Sequence, residues 1–178
     1  MDDWTEVYER HGSLVWATVY RIVGNHAEAL DCCQDIFVEL LNEPKTRQVR
    51  DWAAFLKWLA TRRALDRLRR GRAHASRMQP DQDLSFVPAS TLGPDAHAIS
   101  GELVERLKRE LSRLPDRQAE AFWLLSVEQM SYEEIGEQLG VDANQVGVLV
   151  HRARHRLRDW LRDLKPIGRD TRPRPKTT

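Results

Sequence analysis

The helical repeat of this chain stops between residues 73 and 98. Pro80, Pro88, Pro94, Gly93 and a scatter of Ser, Asp and Gln fill that stretch. No apolar 3–4 spacing survives in it. On either side the spacing is strong. Trp4, Val7, Tyr8, Leu14, Val15, Val19 and Ile22 form a first stripe, which Gly24-Asn25 ends. Ala27, Leu30, Cys33, Phe37, Leu40 and Leu41 form a second, broken by Asn42-Glu43-Pro44. A third begins at Asp51, a suitable N-cap, and runs to about Arg72 with Trp52, Phe55, Leu56, Leu59, Leu65 and Leu68. Further helices are expected over 99–113 and 116–128, parted by Leu114-Pro115-Asp116. No alternating strand pattern of useful length occurs. The chain therefore reads as all-α: two small helical domains, 1–72 and 99–164, joined by a flexible linker, 73–98. Each has a small core, so neither should be very stable alone. The tail from Lys165, with three prolines and several basic residues, is expected to be disordered.

The sharpest local signal spans Ser131 to Asp142. Ser131 and Glu134 have the spacing of a capping box. Ile135 and Leu139 are four apart and suit a core. Gly140 suits a left-handed helix end. Asp142 can cap the next helix, which carries Val146, Leu149, Val150, Ala153 and Leu157. Helix, short glycine turn, helix is the helix-turn-helix pattern, whose second helix enters the DNA major groove.

Charge supports a polyanionic partner. The net charge is only +1, from 28 Lys+Arg and 27 Asp+Glu. Taken by blocks, residues 1–46 carry −6, 47–77 carry +8, 78–116 carry −3, 117–149 carry −5 and 150–178 carry +7. Two basic blocks in an acidic chain suggest a polyanion met twice. The second block coincides with the helix-turn-helix. On its helix, Asn144, Gln145 and Val148 stand where base edges are met. His151, Arg152, Arg154, Arg156 and Arg158 stand further along, where phosphate contacts are natural. A solvated basic helix is the bland alternative. The first block lies on the third helix: Arg62, Arg63, Arg67, Arg69, Arg70 and Arg72. Trp52, Phe55 and Trp58 lie among them, as a platform for unstacked bases would need. Trp52 and Phe55 suit a core better, and Trp58 suits either role.

Other classes are excluded. There is no phosphate-binding glycine loop, no His-Glu-x-x-His and no nucleophile elbow, so the chain does not read as an enzyme. His151 and His155 have metal-ligand spacing, but Arg152, Arg154 and Arg156 surround them and repel a cation. No metal or cofactor is expected. No apolar run approaches the ~20 residues of a membrane span. The acidic start, Met1-Asp2-Asp3-Trp4, is unlike a signal peptide, so a cytoplasmic chain is expected. Cys32 and Cys33 are adjacent and read as small buried hydrophobes, with a thiol sensor as the alternative.

Several strings, in order and spacing, resemble the extracytoplasmic-function (ECF) sigma factors, a subfamily of the sigma-70 family of bacterial RNA polymerase. Leu30-Asp31-Cys32-Cys33-Gln34-Asp35-Ile36-Phe37 resembles the family's Asp-Leu-Val-Gln-Glu-Val-Phe segment. Phe55-Leu56, Leu59-Ala60 and Ala64-Leu65-Asp66-Arg67-Leu68-Arg69-Arg70 resemble its promoter −10 helix. Leu114-Pro115-Asp116-Arg117-Gln118, Ser131-Tyr132-Glu133-Glu134-Ile135 and Arg152-Ala153-Arg154 resemble its −35-reading domain.

The resemblance implies core RNA polymerase and promoter DNA as partners, with an anti-sigma protein as a further one. It implies that Asp31, Gln34, Asp35 and Phe37 dock on the clamp coiled coil of polymerase. Trp58, Arg62, Arg63, Asp66, Arg67, Arg69 and Arg70, with the loop from Asn42 to Arg50, would hold a melted −10 element and a flipped base. Asn144, Gln145, Val148, His151, Arg152, Arg154 and Arg156 would dock the −35 duplex. Departures occur: Arg62 stands where the family has Asn, and Trp58 where it has a polar residue. Gln145-Val146-Gly147-Val148-Leu149 replaces the usual Thr-Val-Lys-Ser-Arg. A stand-alone helix-turn-helix regulator is the alternative reading. A third is an interaction module whose basic blocks meet acidic proteins.

Overall fold

An amphipathic helix must bury its apolar stripe against another element, and in this chain helices do that for one another. The structure is a computed structural model and describes residues 4–42, 49–78 and 94–162. The elements are α1 (Trp4–Val23), α2 (His26–Asn42), α3 (Trp52–Met78), α4 (Pro94–Leu111), α5 (Asp116–Ser126), α6 (Tyr132–Leu139) and α7 (Ala143–Arg162). Among the described residues there is no strand. The loop residues 43–48, the middle of the expected linker and the tail from Lys165 lie outside the described residues.

The first three helices pack as a bundle, with α1 lying along α3. Val7, Val15, Thr18, Val19, Ile22 and Val23 of α1 are buried. Gly24, at φ 78, ends α1, and Asn25 Oδ1 accepts the Glu28 amide at 3.1 Å to start α2. Asp51 caps α3 as expected, its Oδ1 accepting the Ala54 amide at 3.0 Å. The face that α2 buries differs from the expected one. Ala29, Cys32, Ile36 and Leu40 are buried, whereas Leu30 and Leu41 are exposed. The helix carries two apolar stripes. The buried one includes the small residues Ala29 and Cys32, which permit close approach of a neighbouring helix.

Two helices are longer than their periodicity suggests. Helix α3 runs beyond Arg72 to Met78, and α4 starts at Pro94 rather than near residue 99. Proline at the first helical position loses nothing, because that N–H has no intrahelical partner.

The helix-turn-helix is built from its expected local signals. Ser131 Oγ accepts the Glu134 amide at 3.1 Å, and Glu134 Oε2 accepts the Ser131 amide at 2.7 Å. Gly140 is left-handed at φ 65. Asp142 Oδ1 accepts the Gln145 amide at 2.7 Å, and Gln145 Oε1 accepts the Asp142 amide at 3.3 Å. This second reciprocal cap was not expected for Gln145. Ile135, Leu139, Val146, Val150, Ala153 and Leu157 fill the core between α5, α6 and α7. Gly136 is the tightest point: a Cβ there would lie 2.6 Å from the Val141 carbonyl oxygen.

The cores of the two halves are not separate. The buried apolar side chains of α1–α3 and α4–α7 belong to one cluster, and α3 packs on α4, α5 and α6. The buried carboxylate of Glu128, between α5 and α6, accepts from Thr18 Oγ1 at 3.2 Å and Arg21 Nη1 at 2.8 Å. Lys57 Nζ donates to the Glu128 carbonyl oxygen at 3.2 Å. Lys108 Nζ of α4 donates to the Val23 carbonyl at 3.2 Å.

The steric limit at Gly136 gives a direct test. Gly136→Val should destabilise the chain by about 2 kcal/mol, because the branch must push α6 off its turn. Thermal unfolding should show a midpoint lower by roughly 5 °C.

Candidate nucleic-acid interface

Helix α3 carries its basic residues on two faces. Arg63, Arg67, Arg70 and His74 recur at helical 3–4 spacing and, with Glu28, Cys32, Asp35 and Gly71, line an open cleft between α2 and α3. Arg63 Nε donates to Glu39 Oε2 at 2.8 Å, and Arg63 Nη2 donates to Glu39 Oε1, so the pair is bidentate. Arg67 lies 3.4 Å from Asp31 and 3.6 Å from Asp35 across the same cleft. Arg70 is exposed. These cations are partly matched by acids of α2 but face solvent.

The other face meets α5. Trp58 is buried, with its Nε1 donating to Glu120 Oε2 at 3.3 Å. The Arg62 guanidinium lies 5.6 Å from the Trp58 ring centroid. Arg69 Nη1 lies 3.1 Å from both Asp66 and Asp116, and its Nη2 donates to the Leu114 carbonyl at 3.4 Å. Arg72 Nη1 donates to Ser112 Oγ at 3.2 Å. Trp52 and Phe55 are core residues, as expected: Trp52 packs edge-on against Trp4 at 5.5 Å and Phe55 at 5.9 Å. Trp58 joins them beneath the second half of the chain. Glu120 is the electrostatic consequence. Burial pushes its carboxyl above the usual carboxylate range, against the Trp58 hydrogen bond and the Arg62 charge, with Asp116 and Asp66 adding to the rise.

Helix α2 offers a third surface. Asp31, Gln34 and Asp35 are exposed, while Phe37 is half-buried with its ring edge-on to Tyr8 at 4.8 Å. Beside them stand Leu30, Val38 and Leu41, all large, apolar and exposed. Periodicity had no means of marking these three as surface. Their only signal is that α2 has more apolar residues than one stripe can hold. Cys32 is buried and Cys33 half-buried, both as free thiols. Burial raises both, Cys33 to about 12, so the thiols stay protonated near neutral pH.

On α7 the buried positions Val146, Val150, Ala153 and Leu157 fix the outward side. Asn144, Val148, His151 and His155 form the ridge opposite the core, and all are exposed. Arg152, Arg154, Arg156 and Arg158 are exposed alongside it. Gln145 is exposed too, but its Oε1 is engaged by the Asp142 amide. His155 Nδ1 lies 2.9 Å from Asp159 Oδ2. Among the described residues no group of three or more His, Cys, Asp or Glu could hold a metal, and no helix is long and apolar enough to cross a membrane.

Residues 7–74 match the family described as Sigma-70 region 2, and residues 104–157 match Sigma-70, region 4. The sigma factor CarQ of Myxococcus xanthus is 31% identical over 169 residues, covering 92% of each chain. The chain belongs to the ECF group of the sigma-70 family. The ECF sigma factor SigE of Mycolicibacterium smegmatis is 33% identical over 162 residues, which are 90% of this chain and 62% of that one. The fold is shared with the sigma factor RpoE of Bartonella quintana, solved in complex with the anti-sigma factor NepR, at a TM-score of 0.56 and 21% identity. That likeness covers 93% of this chain and 100% of RpoE. In this ECF chain, region 2 therefore comprises α1, α2 and most of α3, and region 4 runs from within α4 into α7.

The Glu120 environment predicts a pH signature. Its folded carboxyl holds its proton at higher pH than the unfolded one, so the stability it contributes is fully present below about 4.5 and is lost as pH rises through its raised folded value. Glu120→Gln keeps an oxygen for Trp58 and removes that loss. The variant should melt above the parent at pH 7, and the difference should shrink as pH falls towards 4.5. Paired calorimetric scans over that range check it.

Proposed function

We propose that this chain binds core RNA polymerase and directs it to a specific set of promoters, acting by binding rather than by bond chemistry. The observation that carries this reading is the pair of sigma regions, in order, each bearing a basic helix face that reaches solvent. One face is the Arg63, Arg67, Arg70 side of α3; the other is the outer side of α7. Under this reading residues 1–72 hold polymerase and the −10 element, 73–98 link, and 99–164 dock the −35 element.

The polymerase contact is assigned to the outer face of α2. Asp31, Gln34 and Asp35 supply its charge and polarity, Phe37 its base, and Leu30, Val38 and Leu41 its apolar area. An apolar surface of this kind on a small chain is best explained by a protein that covers it. Helix α3 would hold the separated strand. Arg63, Arg67, Arg69 and Arg70 would meet phosphates, with Asp66 orienting Arg63 and Arg69, and Trp58 with Arg62 offering a stacking surface. On α7, Asn144 and Val148 would reach base edges, while His151, Arg152, Arg154 and Arg156 would meet the phosphate backbone. Gln145 would contribute its remaining amide N–H groups. Work of this kind takes place where polymerase is, in the cytoplasm. An anti-sigma protein of the sort bound to the Bartonella RpoE is a natural further partner. A stand-alone regulator would leave region 2 without a task.

The test is reconstitution. The chain should co-elute with core polymerase and support transcription from promoters mapped by their transcript starts. Val38→Glu, at a side chain already exposed, should reduce co-elution about tenfold without changing helix content. Arg70→Ala should leave co-elution intact but slow open-complex formation on duplex promoters, with recovery on a template already melted at −10. Equal behaviour of either variant and the parent would defeat the corresponding assignment.

A further inference from the structure

The arginines of α3 are not equivalent. Glu39 claims Arg63, and Asp31 and Asp35 claim Arg67. Asp66 and Asp116 claim Arg69, and Ser112 claims Arg72. Arg62 and Arg70 are exposed, and among the described residues neither has a hydrogen bond or an ion pair. These two differ in how they are held. The Arg62 guanidinium lies over the Trp58 indole, 5.6 Å from its centroid. Trp58 is itself fixed: it is 8% exposed, and its Nε1 donates to Glu120. Because the indole is covered, the part of this pair that reaches a partner is the guanidinium.

A cation free to turn suits a phosphate, which accepts from many directions. A base edge needs donors that are already aimed. The guanidinium is a rigid fork of N–H groups, and a ring that locates the fork gives it direction at little further cost in entropy. Guanine sets two acceptors, N7 and O6, side by side. Adenine sets an N6–H donor beside its N7, cytosine offers an N4–H donor on the same edge, and thymine sets a methyl beside its O4. A located fork with unclaimed N–H groups therefore matches guanine and leaves a donor facing a donor, or a methyl, on the others.

We infer that Arg62 is a specificity-determining residue: held on Trp58, it reads one guanine of the −10 element through N7 and O6. This rests on the proposed −10 role of α3. Trp58 acts here as a positioning residue beneath the reader. Arg70, exposed and without a ring contact among the described residues, is left to the backbone. One bidentate pair of this kind favours its base about tenfold or more.

The test pairs a changed base with a changed side chain. The base 7-deazaguanine lacks the N7 acceptor and still pairs with cytosine. It is placed at each guanine of a mapped −10 element in turn, on either strand. At one position it should slow open-complex formation by the parent chain with core polymerase about tenfold. Adenine or thymine at that position should also slow it, even though an A·T pair opens more easily. Arg62→Lys keeps the charge and loses the fork. It should be about tenfold slower than the parent on the natural promoter, equal to it on the 7-deazaguanine promoter, and unchanged in salt dependence.

The inference is overturned if the mapped −10 elements hold no guanine, or if 7-deazaguanine is silent at every position. It is overturned equally if Arg62→Lys matches the parent on the natural promoter, or if 7-deazaguanine slows the variant as much as the parent. A loss in Arg62→Lys that is the same for every sequence marks a phosphate contact, and one that follows an unpaired cytosine marks its N3 and O2; either defeats the guanine contact. Promoter-specific transcription by the parent, with slower open complexes for Arg70→Ala, separates the two levels. Where both are seen, those results defeat the guanine contact alone. Where they are not, the −10 reading fails and the guanine contact falls with it.

Discussion

A carboxylate with almost no contact with water must find compensation in the fold, and Glu128 shows how much can follow from that. Its side chain is 2% exposed. Desolvating an ion costs several kcal/mol, so a buried carboxylate persists only with strong partners. Those partners come from α1, through Thr18 and Arg21, while α3 holds the adjacent carbonyl through Lys57. Glu128 lies in the short connection that leads into the helix-turn-helix. Region 4 is thus tied to region 2 in part through one acidic residue. The wider interface adds Trp58 against Glu120, Arg69 against Asp116 and Lys108 on the end of α1.

Interfaces made this way are strong in geometry and modest in energy. Its outer pairs, Arg69 with Asp116 and Arg72 with Ser112, reach solvent, and such pairs contribute little when water and salt can screen them. The apolar share belongs to one buried cluster that spans both halves. Contacts between domains of one chain are commonly of this mixed kind, and relative motion is their ordinary expectation. The same arrangement can thus be well defined in the free chain and still yield to a larger partner.

Local features were legible in the sequence and distant ones were not. Ser131 with Glu134, Gly140 and Asp142 act within a turn or two, and the helix-turn-helix formed as they indicated. The cap at Asp51 was equally local. The burial of α2 was misread because Leu30 and Leu41 are apolar and periodic, and periodicity cannot choose between two stripes when Ala29 and Cys32 set the close approach. Trp58 was ambiguous for a related reason: its partner Glu120 is 62 residues away. Glu128 carried no sequence signal at all, since Thr18 lies 110 residues from it. Among the proposed site residues, those of α7 stand exposed as expected, while those of α3 divide between an open and a covered face. Gln145 changed character most, from a candidate base reader to part of a helix cap.

That reciprocal cap bears on what α7 can offer to a duplex. A glutamine reads adenine by offering an oxygen and an N–H together, and here one lone pair of the oxygen accepts the Asp142 amide, which orients the side chain along the helix end. The first turns of α7 then present the Asn144 amide, the N–H groups of Gln145 and the methyl surface of Val148. Under the proposed reading, the choice of promoter would then rest on these few groups and on the ease with which the −10 element opens.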